Sequence, residues 1–268
     1  MRSISELAQL KGRRAIVTGG AGHIGLAIDE TLLELGATVV ILDVDAQACE
    51  QRTAELSERY GQQRAFSAVC DLADETATRA SIKDAIERLG GLDILIHGAA
   101  YVGTTQIPGW AVPFEDQTVQ AWDAALRVNL TSAFVMVQAA RQPLLDSGHG
   151  SIILFSSIYG VAGPDLRLYE GTSMGNPAAY GASKAGLLQL TRYLATTLAP
   201  GVRVNAITPG GVWRRQPESF HDRYAARTPM ARMATEEDLK GAVAYLASDL
   251  SLYVTGHNLV VDGGWTAW

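Results

Sequence analysis

The chain has 268 residues, 47% of them hydrophobic, and its 22 basic and 28 acidic residues give a formal net charge of -6. This length fits one domain, residues 1–268, with room for a large core. The sequence has no basic stripe with interleaved aromatics and no apolar run of about 18 residues, which argues against nucleic acid and membrane as partners.

The two cysteines, Cys49 and Cys70, lie far apart in the sequence and have no histidine-rich surroundings. This usage is typical neither of a disulfide scaffold nor of a zinc site. Residues 1–14 are mixed polar and lack the apolar centre of a signal peptide. We therefore expect reduced thiols, no metal and a cytoplasmic location.

The first predicted unit is a strand, a glycine-rich turn and a helix. Residues 14–18 are apolar, Gly19-Gly20-Ala21-Gly22-His23-Ile24-Gly25 follows, and a segment with helical apolar spacing ends at Gly36. Glycines let the backbone approach a pyrophosphate, and a helix N-terminus offers free N–H groups and the positive end of its dipole. A plain tight turn is the alternative, but the context favours a dinucleotide site.

The second predicted strand, residues 38–43, is apolar and β-branched and ends in Asp43, 18 residues after Gly25. A carboxylate at this place can accept both ribose hydroxyls of an adenosine and would repel a 2′-phosphate. The next residues supply no arginine for such a phosphate, so the sequence predicts NAD. The alternative role, capping a helix at 46–60, suits Asp45 better.

Two further strands are predicted at 65–70 and 92–96, separated by a helix at 75–89. The first ends at Asp71-Leu72, and the second runs into His97-Gly98-Ala99-Ala100. Small residues at the carboxyl end of a strand leave room for a flat ligand, although close packing explains them equally well.

An asparagine interrupts the apolar face of the next predicted helix, residues 118–141, which follows a loop at 101–117. Burying the amide of Asn129 would be costly without hydrogen-bond partners. Either it makes a structural hydrogen bond or it belongs to a site.

Two polar segments lie in the second half of the chain. The segment 157–179 follows a strand that ends at Ser156-Ser157, and the segment 211–234, which looks mobile, follows a strand that ends at Pro209-Gly210. Long loops of this kind carry function, so we expect both to line a substrate site. The polar residues they offer are Asp165, Arg167, Tyr169, Glu170, Thr172, Asn176, Arg214, Arg215, Gln216 and His221. The remaining predicted elements are strands at 151–155, 202–207 and 258–261 and helices at 178–198 and 235–248.

Within the predicted helix 178–198, Tyr180 and Lys184 are four positions apart and should project from one face. A fixed ammonium beside a phenol favours the tyrosinate and lowers its pKa, which predicts that Tyr180 is a general acid and base. A chance placement of the two residues on one helix face is the alternative.

Strands alternate with helices along the whole chain, and we find neither repeats nor a change of composition that would mark a second domain. This order predicts an α/β fold with a doubly wound, Rossmann-like parallel sheet of about seven strands and helices on both faces.

Taken together, several motifs resemble those of the short-chain dehydrogenase/reductase family over nearly the whole chain. They are Thr18-Gly19 with Gly25, Asp71-Leu72, Asn129, Ser157, Tyr180 with Lys184, Pro209-Gly210 and Val261-Asp262-Gly263-Gly264. The resemblance implies that Ser157 orients the substrate oxygen, Tyr180 exchanges its proton, Lys184 tunes Tyr180 and holds the nicotinamide ribose, and Asn129 fixes a relay water. The residues it implies for the cofactor are Gly19, Gly22, His23, Ile24, Asp43, Asp71, Leu72, Ala99, Tyr180, Lys184, Pro209, Gly210 and Val212.

The chain departs from the compact branch of this family, which it otherwise resembles, at three places. His23 stands where glycine is usual, so that the spacing Gly19, Gly22, Gly25 matches the extended branch, whose C-terminal substrate region has no room here. The usual Asn-Asn-Ala-Gly is replaced by residues 97–100, which puts hydrogen bonds at the sheet edge in doubt. The long loop before Tyr180 resembles a subgroup linked to flagellin glycosylation and nonulosonic-sugar biosynthesis.

These observations predict an NAD(H)-dependent oxidoreductase that interconverts a secondary alcohol and a ketone on a polar, sugar-like small molecule. A 3-oxoacyl or other small-ketone reductase of the same family is one alternative, and a cofactor-sensing regulator without chemistry is another. Family analogy and the apolar, aromatic segment Leu259 to Trp268 predict a homo-oligomer, a tetramer.

Overall fold

The computed structural model describes residues 1–102 and 105–268 and contains a parallel sheet in the order β3-β2-β1-β4-β5-β6-β7. The strands are β1 (Arg14–Thr18), β2 (Thr38–Asp43), β3 (Ala65–Val69), β4 (Ile94–His97), β5 (Gly150–Phe155), β6 (Val202–Pro209) and β7 (Asn258–Val261). The predicted doubly wound α/β fold is confirmed. Each strand begins and ends within two residues of its predicted bounds.

Helices connect the strands, and most were predicted. They are α1 (Ile4–Ala8), α2 (His23–Glu34), α3 (Ala46–Tyr60), α4 (Glu75–Leu89), α5 (Val119–Leu126), α6 (Ser132–Asp146), α7 (Ala178–Leu198), α8 (Glu218–Arg227) and α9 (Lys240–Ala247). The helix predicted at 118–141 is in fact α5 and α6, joined by a π-helical turn at Arg127–Thr131. In the described part of the chain, no helix is long and apolar enough to cross a membrane.

Local sequence explains where the helices begin and end. Asp45 caps α3 by accepting a hydrogen bond from the Ala48 N–H at 3.0 Å, and Asp74 caps α4 in the same way from Ala77. α4 ends at Gly90 in a left-handed conformation, which glycine adopts without steric cost. The role of Asp45 as the helix cap leaves the Asp43 carboxylate at the end of β2 for another function.

The core lies on both faces of the sheet because alternate strand residues point to opposite sides. Val17, Ile41 and Ile96 pack with α2, α3 and α9 on one face. Ile16 and Leu95 pack with α4, α6 and α7 on the other. Both faces being covered explains why the central strands read as continuous apolar runs rather than as alternating ones.

The strand order reverses between β1 and β4. From β1 the chain continues outward through β2 and β3, and β4 then returns to the other side of β1. In open parallel sheets such a reversal leaves a crevice at the carboxyl ends of the strands, where ligands bind. The glycine turn, Ala99 and Ser157 all follow the carboxyl ends of the central strands and therefore lie at this edge.

The prediction that residues 211–234 form a mobile-looking polar segment is wrong. This stretch contains α8, and its Phe220 and Tyr224, four positions apart, are 5% and 2% exposed. Both pack in a cluster with Leu168 and Trp265 from elsewhere in the chain. Although the segment is polar in composition, α8 has one apolar stripe, and tertiary contacts with this stripe stabilise the helix.

Candidate active site

A cavity of about 560 Å³ opens at the carboxyl edge of the sheet and extends from the start of α2 to α7. Its lining includes eight residues that the sequence predicted: His23, Ile24, Ser157, Tyr180, Lys184, Pro209, Gly210 and Val212. The other predicted residues do not line this cavity: Gly19, Gly22, Asp43, Asp71, Leu72, Ala99 and Asn129. Gly19, Gly22, Asp43 and Asp71 lie at the glycine-turn end of the crevice, at the carboxyl ends of β1 to β3, whereas Leu72 and Asn129 are buried.

The glycine turn has a geometry that only glycines allow. Gly19 has a φ of +70°, in the left-handed region, and a Cβ on Gly25 would collide with the Gly19 carbonyl oxygen. Gly22 caps α2 without a side chain, so the first N–H groups of that helix receive no side-chain cap. A close-packed, uncapped helix start of this kind fits the pyrophosphate of a dinucleotide.

Two predicted carboxylates lie beyond the turn at the ends of adjacent strands. Asp43 ends β2 and accepts a hydrogen bond from the Val44 N–H at 2.8 Å, and Asp71 follows β3 and accepts one from the Ala73 N–H at 2.9 Å. Leu72 is buried in the core on the α4 side of the sheet. Asp43 and Asp71 therefore lie at the carboxyl edge of the sheet, where open parallel sheets bind their ligands.

Ser157, Tyr180 and Lys184 converge at the other end of the crevice. The Ser157 side chain lies near enough to the Tyr180 hydroxyl to lower the pKa of the phenol. The Lys184 side chain is 2% exposed, and its Nζ donates to the Phe155 carbonyl at 2.8 Å and lies 5.8 Å from the centroid of the Tyr180 ring. The predicted placement of residues 180 and 184 on one helix face is what brings these groups together.

The prediction that Lys184 lowers the pKa of Tyr180 is not met in this structure. Burial raises the pKa of Tyr180, and the opposing effects come from the Ser157 hydrogen bond and the Arg214 charge. Burial also lowers the pKa of Lys184 to about 7, because an ammonium in a low-dielectric interior is costly. Desolvation, which the sequence could not show, outweighs the expected charge effect, so Tyr180 carries its proton at neutral pH.

Asn129 makes structural hydrogen bonds, one of the two alternatives. It lies in the π-helical turn, where its Oδ1 accepts from the Tyr101 N–H at 2.7 Å and its Nδ2 donates to the Tyr101 carbonyl at 3.3 Å. Nδ2 also donates to Ser183 Oγ at 3.0 Å. The amide thus ties the segment after β4 to α7, the helix that carries Tyr180 and Lys184.

His97, in place of the usual asparagine, leaves the backbone at the end of β4 hydrogen-bonded, but its buried Nδ1 has no hydrogen-bond partner among the described residues. The Gly98 N–H donates to the Thr18 carbonyl at 3.1 Å, and His97 Nε2 lies 2.8 Å from Ser132 Oγ. Burial, together with the charge of Lys184, lowers the pKa of His97 to about 3, so the imidazole is neutral. The backbone hydrogen bond at this edge is thus present, whereas the imidazole is only partly satisfied.

The substrate end of the cavity has aromatic walls that the sequence did not reveal. Tyr159, Tyr169, Phe220 and Tyr224 line it. The hydroxyls of Tyr159 and Tyr169 are 2.8 Å apart, and Asn176 Nδ2 donates to the Tyr169 hydroxyl at 3.2 Å. Tyr159 was missed as a site residue; it follows Ser157 in a short turn, and its ring packs against Trp265 and the Tyr180 ring at the cavity.

Only half of the polar residues expected at the mouth line the cavity. Tyr169, Asn176, Arg214, Arg215 and Gln216 do so, whereas Asp165, Arg167, Glu170, Thr172 and His221 do not. Asp165 instead pairs with Arg167 and Arg227, each at 2.8 Å. The expectation that Arg167 binds substrate is therefore wrong, because its guanidinium is already held by a carboxylate outside the cavity.

Among residues 1–102 and 105–268, no group of three or more His, Cys, Asp or Glu side chains could hold a metal ion.

Comparisons with known proteins agree with this geometry. Residues 19–266 match the family model described as Enoyl-(Acyl carrier protein) reductase. Sorbose reductase of Schizosaccharomyces pombe is 32% identical and aligns over 98% of this chain and 99% of its own.

Two solved structures share the fold along their whole length. A gluconate 5-dehydrogenase from Burkholderia cenocepacia in complex with NADP and tartrate is 29% identical, with a TM-score of 0.85 over 99% of this chain and 100% of that one. A short chain dehydrogenase from Leptospira borgpetersenii with bound NAD+ is 32% identical, with a TM-score of 0.82 over 99% and 96%. Both nicotinamide dinucleotides thus occur in structures similar to this one.

Proposed function

Because the chain belongs to the short-chain dehydrogenase/reductase family, we propose that it is an NAD(H)-dependent enzyme that interconverts a secondary alcohol and a ketone on a sugar-like substrate. Membership of the family makes it an oxidoreductase of CH–OH groups. The observation that carries the finer proposal is the convergence of Ser157, Tyr180 and Lys184 on one cavity that also reaches the glycine turn. The narrower resemblance to flagellin-glycosylation enzymes stays a prediction.

In the proposed mechanism, Tyr180 is the group that moves the proton. Its raised pKa keeps the phenol protonated at neutral pH, so Oη donates a proton to the substrate oxygen during ketone reduction and accepts one during alcohol oxidation. Ser157 Oγ, beside Tyr180, orients the same substrate oxygen. A bound nicotinamide dinucleotide supplies or accepts the hydride.

Lys184 supports this proton transfer from behind. Its Nζ donates one hydrogen bond to the Phe155 carbonyl. An ammonium has three N–H groups, so two remain to hold the ribose of the cofactor. An ammonium stabilised by such a ligand would in turn stabilise the tyrosinate, as the sequence led us to expect. We propose that the residues that the family resemblance implies for the cofactor form its binding site.

The chemistry of the substrate end supports a polyhydroxylated substrate. The chain of hydroxyl and amide groups from Tyr159 through Tyr169 to Asn176 can exchange hydrogen bonds with several substrate hydroxyls. The aromatic rings around it provide the apolar faces on which sugar C–H groups pack. Two similar proteins, sorbose reductase and gluconate 5-dehydrogenase, are named for compounds of this class.

A second candidate activity is reduction of a 3-oxoacyl compound or another small ketone. It is favoured by Met174, Phe220 and Met233, which also line the cavity, and by the description of the matching family model. Initial rates with NADH on ketohexoses, 3-oxoacyl thioesters and steroid ketones distinguish the two. Faster turnover of the apolar ketones would overturn the sugar-like substrate class. Absence of turnover with every carbonyl would instead favour the cofactor-sensing regulator.

NAD preference is proposed from Asp43. A carboxylate beside a 2′-phosphate costs several kcal/mol, and each ~1.4 kcal/mol is tenfold in affinity. We therefore expect NADH to bind at least about tenfold more tightly than NADPH, and Asp43→Ala to narrow the gap. Asp45→Ala, which removes the neighbouring carboxylate that caps α3, is the matched control. Tighter binding of NADPH to the unaltered protein would refute the assignment.

We further propose that residues 1–268 form one domain, that the protein is a cytoplasmic homotetramer, and that 157–179 and 211–234, the second of which contains α8, are its substrate segments. Trp265 needs no partner subunit, since it is 1% exposed within its own chain, but Val260 at the sheet edge and Trp268 are 41% and 74% exposed. A second copy could cover these two residues. Light scattering that gives a monomer mass at micromolar concentration would contradict the tetramer.

A further inference from the structure

The side chains of His23, Arg214 and Glu236 meet between the two ends of the crevice. Glu236 Oε1 lies 3.6 Å from Arg214 Nε and 3.9 Å from His23 Nδ1. His23 is the first residue of α2, directly after the glycine turn, and Arg214 interacts electrostatically with Tyr180. Arg214 therefore lies on the path from the glycine turn to the catalytic tyrosine.

The backbone fixes the position of Arg214 relative to Glu236. Val212 forms a parallel β-bridge with Ala234, and the Trp213 N–H donates to the Ala234 carbonyl at 2.8 Å. Gln216 closes the turn that follows, since its Oε1 accepts from the Arg214 N–H at 2.7 Å and its Nε2 donates to the Val212 carbonyl at 2.9 Å. The arginine is thus held by its surroundings rather than carried on a free loop.

A dinucleotide that spans this crevice brings two negative charges past Arg214. The glycine turn, residues 19–25, supplies N–H groups but contains neither lysine nor arginine. Lys184 is buried and bonded to the Phe155 carbonyl. The guanidinium of Arg214, about one-third exposed and facing the cavity, is shaped to bind phosphate oxygens through paired N–H groups.

We propose that Arg214, assisted by His23, binds the pyrophosphate of the nicotinamide dinucleotide. Before the cofactor binds, Glu236 holds Arg214 in place, and the phosphates then take the place of Glu236. This inference rests on the proposed cofactor and reassigns to the cofactor an arginine that the sequence had given to the substrate. Since the carboxylate and the phosphates compete for the same guanidinium, Glu236 weakens cofactor binding.

The test measures binding rather than turnover. Isothermal calorimetry compares ADP-ribose, which carries the pyrophosphate but no nicotinamide, with AMP, which has a single phosphate. Charge-assisted hydrogen bonds are the strong ones, so Arg214→Met should weaken ADP-ribose binding about 10- to 100-fold and AMP binding much less. Glu236→Gln should tighten ADP-ribose binding by about 2- to 10-fold.

Arg167→Met is the matched control. It also removes one arginine from an ion pair with a carboxylate, but outside the cavity, so ADP-ribose binding should change less than about twofold. Thermal unfolding checks that each variant is folded, and Glu236→Gln gives an independent result if Arg214→Met is not.

The outcomes separate this inference from the proposed function. If the unaltered protein binds ADP-ribose and Arg214→Met binds it equally well, the inference is wrong, and a raised KM for an anionic substrate would return Arg214 to the substrate. Weaker binding by Glu236→Gln would likewise overturn the competition. If the unaltered protein binds no nicotinamide dinucleotide at all, the proposed function fails first and the inference falls with it.

Discussion

The two ends of the crevice differ in the groups that form them. Backbone predominates at the cofactor end, in the glycine turn, the uncapped start of α2 and the carboxyl ends of β1 and β2, with the Asp43 carboxylate and the proposed Arg214 as its side chains. The substrate end consists of side chains from 157–179, α8 and the residues after β7, packed around Trp265. A backbone site tolerates no added atom, whereas a side-chain site can change one hydroxyl at a time and alter its preference.

The largest expected effect tests whether the two ends act separately. Tyr180→Phe removes the proton donor but no part of the glycine turn, so turnover should fall about 10²- to 10⁴-fold while NADH binding stays close to that of the unaltered protein. Rates and fluorescence titrations with NADH measure both. Tyr193→Phe, the same change on an exposed position of α7, should alter neither. A Tyr180→Phe enzyme that keeps half its activity would place the proton donor elsewhere.

The next effect concerns the backbone end. Gly25→Ala places a methyl group against the Gly19 carbonyl, where no flexible side chain can move away. We expect a loss of about 1–3 kcal/mol in unfolding free energy and weakened NADH binding. Gly22→Ala is the milder comparison, because its Cβ would lie 3.2 Å from the same oxygen. Equal effects of the two substitutions would contradict the description of a turn closed by Gly25.

The cofactor end also contains a defect. Asp29 on α2 is fully buried, and neither carboxylate oxygen has a hydrogen-bond partner within the described residues. Leaving a buried polar group unpaired costs about 1–3 kcal/mol, so Asp29→Leu should raise the unfolding free energy by an amount of this order. Asp93→Leu is the matched control with the opposite sign, since Asp93 is buried but lies 2.7 Å from Arg14 Nε.

The pH dependence gives the Asp29 prediction a second measurement. Burial raises the pKa of Asp29 well above its ordinary value. Between the unfolded pKa near ~3.9 and the raised folded pKa, the folded protein binds more protons than the unfolded chain, so stability falls as pH rises through this window. Asp29→Leu should lack that fall in chemical denaturation curves. An unchanged pH profile would mean that Asp29 has a partner in solution.

The smallest expected effect lies at the substrate end. Tyr169→Phe removes the hydroxyl that lies between Tyr159 and Asn176 but leaves the ring packed against Phe220. One net hydrogen bond is worth about 1 kcal/mol, so KM for the substrate should rise about fivefold with little change in NADH binding. Tyr253→Phe, at a fully exposed position, is the control. A change in NADH affinity instead would show that the two ends are coupled.

The same contrast explains what the sequence could predict. Strand bounds, the glycine turn and the shared face of Tyr180 and Lys184 follow from local periodicity and backbone conformation, which a sequence displays directly. Tyr159 and α8 were missed because their roles arise from packing against Trp265, a contact between residues far apart in the chain. The pKa of Tyr180 was predicted in the wrong direction for this structure, since burial cannot be read from a motif.

Burial of the Lys184 side chain affects how many protons the protein binds. With its pKa lowered to about 7, the side chain is only partly charged in neutral solution. A ligand that accepts a hydrogen bond from Nζ favours the charged form, so a cofactor held by Nζ as proposed would draw protons from the buffer on binding. Calorimetric titrations in buffers of different ionisation enthalpy would count those protons. Acidity would then control how much of the enzyme is loaded, before any chemical step takes place.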